Sequence, residues 1–176
     1  AGTTKDNKKI FYTEEKFKQF SDEQKNLIAE ALPHIIYQKF PAIYTYSFNR
    51  IVGSTSLVEV EDYQKDNVFW VYRKRNSKWT VPVYFNGVAR KTTYMTIVFR
   101  RYYGKIFVSD CFFGKRVLPL PSNPYAINKG TEFVERCQSF WQNHALVIPK
   151  DEIDISKTLE TLTADEAQHF WKIINA

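Results

Sequence analysis

Hydrophobic and polar positions alternate along the middle of the chain in the way that is typical of β-strands. Runs rich in Val, Ile, Thr and aromatic residues are separated by turn signals such as Asn76-Ser77-Lys78 and Asn86-Gly87. The clearest hairpin joins two such runs through Tyr102-Tyr103-Gly104, which fits a three-residue loop. The predicted strands are residues 42–52, 57–60, 68–75, 79–85, 93–101 and 105–113.

Helical spacing replaces this alternation at both ends of the chain. Ser21 to Gln24 is a capping box, and apolar residues follow it at helical spacing until Pro33. Thr131 is expected to cap a second helix and Thr163 to cap a third. The stripe that the second helix would bury is Phe133, Cys137, Phe140 and Trp141. The sequence therefore predicts an α+β fold, in which a twisted antiparallel sheet of about residues 42–116 packs against N-terminal and C-terminal helices.

The chain of 176 residues is interpreted as a single domain, residues 1–176. Residues 1–20 are predicted to be a flexible N-terminal segment, because they are mostly polar. Residues 149–176 are predicted to be a helical C-terminal appendage. Cys111 and Cys137 are expected to be two buried thiols rather than a disulfide.

Several classes of site find no support in the sequence. Two Cys and three His are scattered along the chain, so no metal site is predicted. There is no Gly-rich phosphate loop and no nucleophile elbow, and we expect no cofactor. No apolar run approaches the roughly 18 residues that cross a bilayer, so we expect no membrane partner.

Positive charge is concentrated in the predicted sheet. Residues 68–116 hold eleven Lys and Arg residues but a single acid, Asp110, so the stretch carries a charge of +10 while the whole chain carries +6. A basic sheet with many aromatic residues suits a polyanion whose bases can stack, such as RNA or another nucleic acid. The alternative is a solvated sheet face whose cations block edge-to-edge pairing.

The three-residue loop would set the register of the hairpin. If Arg101 faces Lys105, then Phe99 faces Phe107 and Thr96 faces Asp110. One face would then carry the core residues Met95, Ile97, Phe99, Phe107, Ser109, Cys111 and Phe113. The other face would carry Tyr94, Thr96, Arg100 and Asp110.

These groups suggest RNA cleavage without a metal, because the 2′-hydroxyl of RNA attacks its own phosphate. The protein then needs to supply only a base, an acid and cations for the developing charge. His144, expected at a helix C-terminus, is the favoured acid or base. The full set of candidate catalytic residues is His144, Arg100, Thr96, Tyr94 and Ser109. The candidate nucleic-acid-binding residues are Arg73, Arg75, Lys91, Arg101, Lys105, Lys115 and Arg116.

A helix after Ser21, one or two helical turns at residues 34–40 and then a run of antiparallel strands make up an order that resembles the barnase–EndoU–colicin–RelE-like ribonuclease superfamily. The strands include the segment TYMTIVFRRYYGKIFVSDCFFGK. The likeness covers residues 22–148 and rests on element order and charge. It implies an α+β fold, cleavage of RNA such as tRNA, and a toxin that an acidic immunity or antitoxin protein neutralises. It also implies action in the cytoplasm, after delivery as a toxin or release from a larger protein.

Two other functions remain open from the sequence. The first alternative is a nucleic-acid-binding protein that uses the basic aromatic sheet without catalysis. The second is a protein-interaction module whose cationic face binds an acidic partner.

Overall fold

The computed structural model describes residues 1–12, 16–60, 68–73, 80–84, 88–152, 156 and 158–174. In chain order the elements are β1 (Gly2–Thr3), β2 (Lys9–Phe11), α1 (Asp22–Ala31), β3 (Ile43–Ser47), β4 (Gly53–Thr55), β5 (Leu57–Glu59), β6 (Val68–Arg73), β7 (Thr80–Tyr84), β8 (Arg90–Thr92), β9 (Tyr94–Tyr102), β10 (Lys105–Phe113), α2 (Pro124–Lys129), α3 (Thr131–Asn143), β11 (His144–Val147), β12 (Thr158–Thr163), α4 (Ala164–Gln168) and α5 (Phe170–Ile174). The α+β class predicted from the sequence is confirmed. The predicted turns at residues 76–78 and 86–87 lie outside the described residues.

The chain divides into two compact units, where the sequence suggests one domain. Unit 1 comprises residues 1–54 and 91–116, and unit 2 comprises residues 55–90 and 117–176. Each predicted strand overlaps an observed one, but β1, β2, β4, β8, β11 and β12 are not predicted from the sequence. The predicted strands do not form one antiparallel sheet: β3, β9 and β10 lie in one five-stranded sheet and β5, β6 and β7 in another, while β4 and β8 form a separate two-stranded sheet. Local periodicity identifies a strand without identifying its partner, so this distribution could not be read from the pattern.

Unit 1 is built on a sheet in the order β1-β2-β10-β9-β3, covered on one face by α1. The capping box at the start of α1 is confirmed: the Ser21 hydroxyl accepts from the Gln24 amide at 3.2 Å, and the Gln24 side chain accepts from the Ser21 amide at 3.0 Å. The helix ends at Ala31, just before Pro33. Its buried residues pack on alternate residues of the central strands, and the resulting core includes Leu27, Ile28, Ala31, Met95, Ile97, Phe99, Ile106, Val108 and Cys111.

The N-terminal segment is part of this sheet, in contrast to the flexibility predicted for residues 1–20. β1 pairs with β2, and β2 pairs in parallel with β10, with Ile10 opposite Ile106. Ile10 is fully buried in the core of unit 1. The partner strand lies far along the chain, so the local composition of the segment gives no sign of the pairing.

The register of the β9–β10 hairpin corrects the predicted one. Tyr102 pairs with Lys105, so the loop has two residues, Tyr103 and Gly104, instead of three. The pairing is therefore one residue out of the predicted register near the turn. An irregularity between Val108 and Asp110 adds a further residue beyond it. The resulting pairs are Phe107 with Arg100, Val108 with Phe99, Asp110 with Val98 and Phe112 with Thr96.

Unit 2 has a second sheet in the order β12-β6-β7-β11-β5 and its own core. The described residues of the predicted appendage at 149–176 contribute to this core instead: Leu162, Phe170 and Trp171 are buried in it. Thr163 caps α4 as predicted, since its hydroxyl accepts from the Glu166 amide. The cap of α3 is Gly130, not Thr131, which is the first residue of the helix.

The cysteines are both free and both buried, as the sequence predicts. Cys111 belongs to the core of unit 1. Cys137 belongs to a small cluster in unit 2 with Ala126 and Phe133. Phe133, Cys137 and Trp141 are the buried residues of α3, so its predicted stripe is largely confirmed.

Candidate nucleic-acid interface

The sheet of unit 1 has a second face, opposite α1, on which aromatic rings and basic side chains alternate. Because residues directly opposite one another in paired strands lie on the same face, this face can be followed across three strands. Arg100 pairs with Phe107, Tyr102 pairs with Lys105, and Phe107 pairs with Phe11. We call this surface the aromatic–lysine face, and its members are Lys9, Phe11, Lys16, Phe17, Lys18, Arg100, Tyr102, Lys105, Phe107 and Asp110.

Four rings form a continuous group at the centre of the aromatic–lysine face. The Phe107 ring centroid lies 5.5 Å from that of Phe11, 5.6 Å from that of Phe17 and 6.2 Å from that of Tyr102. The Phe17 and Tyr102 rings meet edge to face at 5.8 Å. Phe107 is 6% exposed and forms the floor of the group, whereas Phe11, Phe17 and Tyr102 are half-buried. The surrounding rings therefore present partly solvated aromatic surface.

Lysine ammonium groups lie over two of these rings. Lys16 Nζ is 4.5 Å from the centre of the Tyr102 ring, and Lys9 Nζ and Lys105 Nζ are each 5.2 Å from the centre of Phe11. All three lysines are exposed, within the distance at which a cation is attracted to the face of a ring. The arrangement holds positive charge over the aromatic surface.

Asp110 is the single acid on the aromatic–lysine face among the described residues. Its carboxylate lies 3.4 Å from Lys18 Nζ, and both side chains are about half exposed, at 48% and 56%. An exposed pair of this kind contributes under about 1 kcal/mol. Asp110 Oδ1 also accepts a hydrogen bond from the Cys111 amide at 2.8 Å. Burial raises the pKa of the neighbouring Cys111 thiol to about 11, so this thiol is neutral and unreactive at pH 7.

The structure places the predicted catalytic residues in different positions, and it does not assemble them into one constellation. His144 lies in unit 2, where it begins β11, stacks on Phe140 at 4.0 Å and has Nδ1 2.7 Å from the Phe140 carbonyl. The other four, Arg100, Thr96, Tyr94 and Ser109, lie in unit 1.

Within unit 1, two of the predicted catalytic hydroxyl groups are engaged in the fold. Thr96 is fully buried, donates to the Gly114 carbonyl at 2.8 Å and lies 2.9 Å from the Thr45 hydroxyl. Ser109 donates to the Val98 carbonyl at 3.2 Å. Tyr94 is half-buried, with Lys115 Nζ 4.9 Å from its ring. Arg100 is exposed on the aromatic–lysine face, as predicted.

The predicted nucleic-acid-binding residues are also divided between the two units. Lys105 lies on the aromatic–lysine face, while Arg101, next to Arg100 in β9, lies on the face of α1 with its guanidinium 5.9 Å from the Tyr37 ring. Lys91, Lys115 and Arg116 lie elsewhere in unit 1, and Arg73 lies in unit 2. Arg75 is outside the described residues.

Sequence reasoning missed the N-terminal half of the aromatic–lysine face: Lys9, Phe11, Lys16, Phe17 and Lys18. The signal was present in the sequence, since KKIFY and EEKFKQF interleave lysines with aromatic residues. Only the parallel pairing of β2 with β10 shows that these residues share a surface with the basic hairpin.

Among the described residues, no group of His, Cys, Asp and Glu side chains could hold a metal ion. None of the described helices combines the length and hydropathy that a bilayer crossing requires. No protein family, curated protein or solved structure matches the chain.

Proposed function

We propose that unit 1 binds RNA through the aromatic–lysine face. The observation that carries the proposal is the ring group of Phe11, Phe17 and Tyr102, with lysine ammonium groups over Phe11 and Tyr102 at 4.5–5.2 Å from the ring centres. Bases stack on aromatic rings, and the phosphates that link them require cations at about the same spacing. This combination is more specific than a basic surface alone.

The charge balance of the aromatic–lysine face supports the same function. Lys9, Lys16, Lys18, Arg100 and Lys105 stand against Asp110, which is the single described acid of the face. A polyanion is attracted to such a surface at long range, and each phosphate that it neutralises releases a counterion. Binding is therefore expected to weaken steeply as the salt concentration rises.

The experiment compares two variants with the same loss of charge. Lys9→Gln/Lys16→Gln/Lys105→Gln removes three lysines from the aromatic–lysine face, and Lys5→Gln/Lys25→Gln/Lys39→Gln removes three lysines outside it. Affinity for a labelled RNA is measured by fluorescence anisotropy over a range of salt concentrations, in EDTA. We expect the first variant to bind at least about tenfold more weakly, with a salt slope lower by about 0.7 for each phosphate that is no longer neutralised. The second variant should bind like the parent chain.

Two outcomes would overturn the proposal. If the parent chain fails to bind RNA at low salt, the surface serves another partner, such as an acidic protein. If both variants lose affinity equally, binding depends on net charge and not on this face.

A metal-independent ribonuclease activity is a second candidate function for the same surface. Arg100 favours it, because an exposed guanidinium on a base-binding face can neutralise charge on a reacting phosphate. Incubation of the chain with total RNA and tRNA in EDTA tests it directly. Discrete fragments that Arg100→Ala abolishes would support cleavage at this surface, whereas intact RNA would leave binding alone.

A further inference from the structure

We propose that Tyr103, at the tip of the β9–β10 hairpin, stacks on an unpaired base and gives the aromatic–lysine face its preference for single-stranded RNA. This inference rests on the proposed function of that face. It assigns a specificity-determining residue and narrows the ligand from RNA in general to RNA whose bases are unpaired.

The backbone at Tyr103 is one that a tyrosine rarely adopts. Tyr103 has a φ of 50° and Gly104 a φ of 75°, so both residues of the two-residue loop are in the left-handed region. Such loops favour Asn, Asp or Gly at the first position, because a Cβ in this region clashes with the backbone. Bulky residues in the left-handed region concentrate at ligand-binding and other functional positions.

The Tyr103 ring makes few contacts that could offset this unfavourable backbone conformation. It is 87% exposed, and its ring contact is an edge-to-face approach to Tyr102 at 4.5 Å. A tyrosine that is both disfavoured by the turn and solvent-exposed is poorly explained by the stability of the hairpin. It is well explained by a ring that must be available to a ligand.

The surroundings of Tyr103 fit a nucleotide. Tyr102, its neighbour, carries Lys16 Nζ at 4.5 Å from its ring and pairs with Lys105 across the hairpin. A base stacked on Tyr103 would therefore have lysine ammonium groups close to its phosphates. A duplex offers no free base face along its length, whereas a single strand offers one at each nucleotide. The ring at the tip should thus distinguish the two.

The test measures the affinity of each variant for an unstructured oligouridine of about 12 nucleotides and for an RNA duplex of the same length, together with the thermal unfolding midpoint. Tyr103→Asn places a residue that suits the turn at the same position. We expect it to bind oligouridine about tenfold more weakly, which corresponds to the loss of one stacked base. Its duplex affinity should be unchanged, and its unfolding midpoint should not fall below that of the parent chain.

Two further variants serve as controls. Tyr103→Trp keeps a ring at the tip and should retain the affinity for oligouridine. Tyr125→Asn removes a tyrosine of unit 2 that is 55% exposed, and it should leave RNA binding unaltered.

The possible failures are distinguishable. If the parent chain binds neither RNA, the proposed function falls and this inference falls with it. If the parent chain binds RNA through the lysines but Tyr103→Asn keeps its affinity for oligouridine, only this inference is overturned. If Tyr103→Asn lowers duplex binding and the unfolding midpoint together, Tyr103 supports the hairpin structurally and is not a specificity residue.

Discussion

Arg100 and Arg101 are consecutive in β9 and lie on opposite faces of the sheet of unit 1. Arg100 is opposite Phe107 on the aromatic–lysine face, whereas Arg101 is opposite Ile106 and approaches the Tyr37 ring on the face of α1. Two exposed residues of identical charge therefore lie on the two sides of one strand.

This pair gives the sharpest test of which side binds RNA. Arg100→Gln is expected to weaken RNA binding about threefold to tenfold, because it removes a cation from the face that carries the rings. Arg101→Gln should change the affinity by less than about twofold. Both affinities are measured by fluorescence anisotropy at the same salt concentration, and the reverse order would place the ligand on the face of α1.

Removal of the acid from the aromatic–lysine face should strengthen binding. Asp110→Asn releases Lys18 from its ion pair and removes a negative charge that would repel phosphates, so we expect an affinity about threefold higher at low salt. Stability should change little, since the asparagine oxygen can still accept from the Cys111 amide.

The matched control for this change is Glu30→Gln. It alters the net charge by the same amount, but Glu30 lies on α1, where it pairs with Arg50 at 2.8 Å. Its RNA affinity should equal that of the parent chain. Equal strengthening by both variants would mean that the effect comes from net charge.

The N-terminal strand should contribute strongly to the stability of unit 1. Ile10→Ala removes a fully buried side chain and is expected to lower the free energy of unfolding by about 3 kcal/mol. Lys9→Ala, at the adjacent exposed position, should change it by less than about 0.5 kcal/mol. Urea denaturation measures both values. An Ile10→Ala variant with the same free energy of unfolding as the parent chain would support the flexibility predicted for this segment.

Stability should fall at alkaline pH. The Cys111 thiol titrates near its ordinary pKa of 9.0 in the unfolded chain, while burial raises the pKa to about 11 in the folded chain. Below pH 9 both states keep the proton and stability is complete. Between about pH 9 and 11 only the unfolded chain releases it, so stability decreases as the pH rises.

Tyr44 acts in the same direction at higher pH, because burial raises its pKa from 10.0 to about 12. The measurement is the urea midpoint between pH 7 and 10.5 for the parent chain and Cys111→Ala. The variant is expected to be less stable at pH 7 but to lose less stability over this range. Parallel pH profiles for the two proteins would contradict the assignment to Cys111.

The sequence predicts β3, β9 and β10 of unit 1 but not β1 or β2, and it predicts the faces of the strands only in part. Alternation places Met95, Ile97 and Phe99 in the core correctly, because each strand is long and half-buried. The predicted hairpin register is wrong because the loop has two residues and not three. The shorter loop places Tyr103 in the left-handed region, which turn preferences disfavour for tyrosine. A shift of one residue moves Phe107 from the predicted core face to the aromatic–lysine face.

The face predicted for Asp110 is correct, although the predicted register is wrong. The irregularity after Val108 adds a second residue to the shift, and a shift of two residues restores the same face. Asp110 therefore shares a face with Thr96 and Arg100 as predicted, although its partner is Val98. The basic hairpin is predictable from local charge, whereas its pairing with β2 depends on a contact that no local pattern encodes.

The parallel pairing of β2 with β10 also imposes an order on biosynthesis. Ile10 is translated about 100 residues before its partner Ile106, a delay of about 5–20 s at ordinary elongation rates. Until then the sheet of unit 1 lacks its central strands, and the apolar residues of its first segment have no core to enter. Ile10 therefore cannot enter the complete core of unit 1 until β10 has been translated.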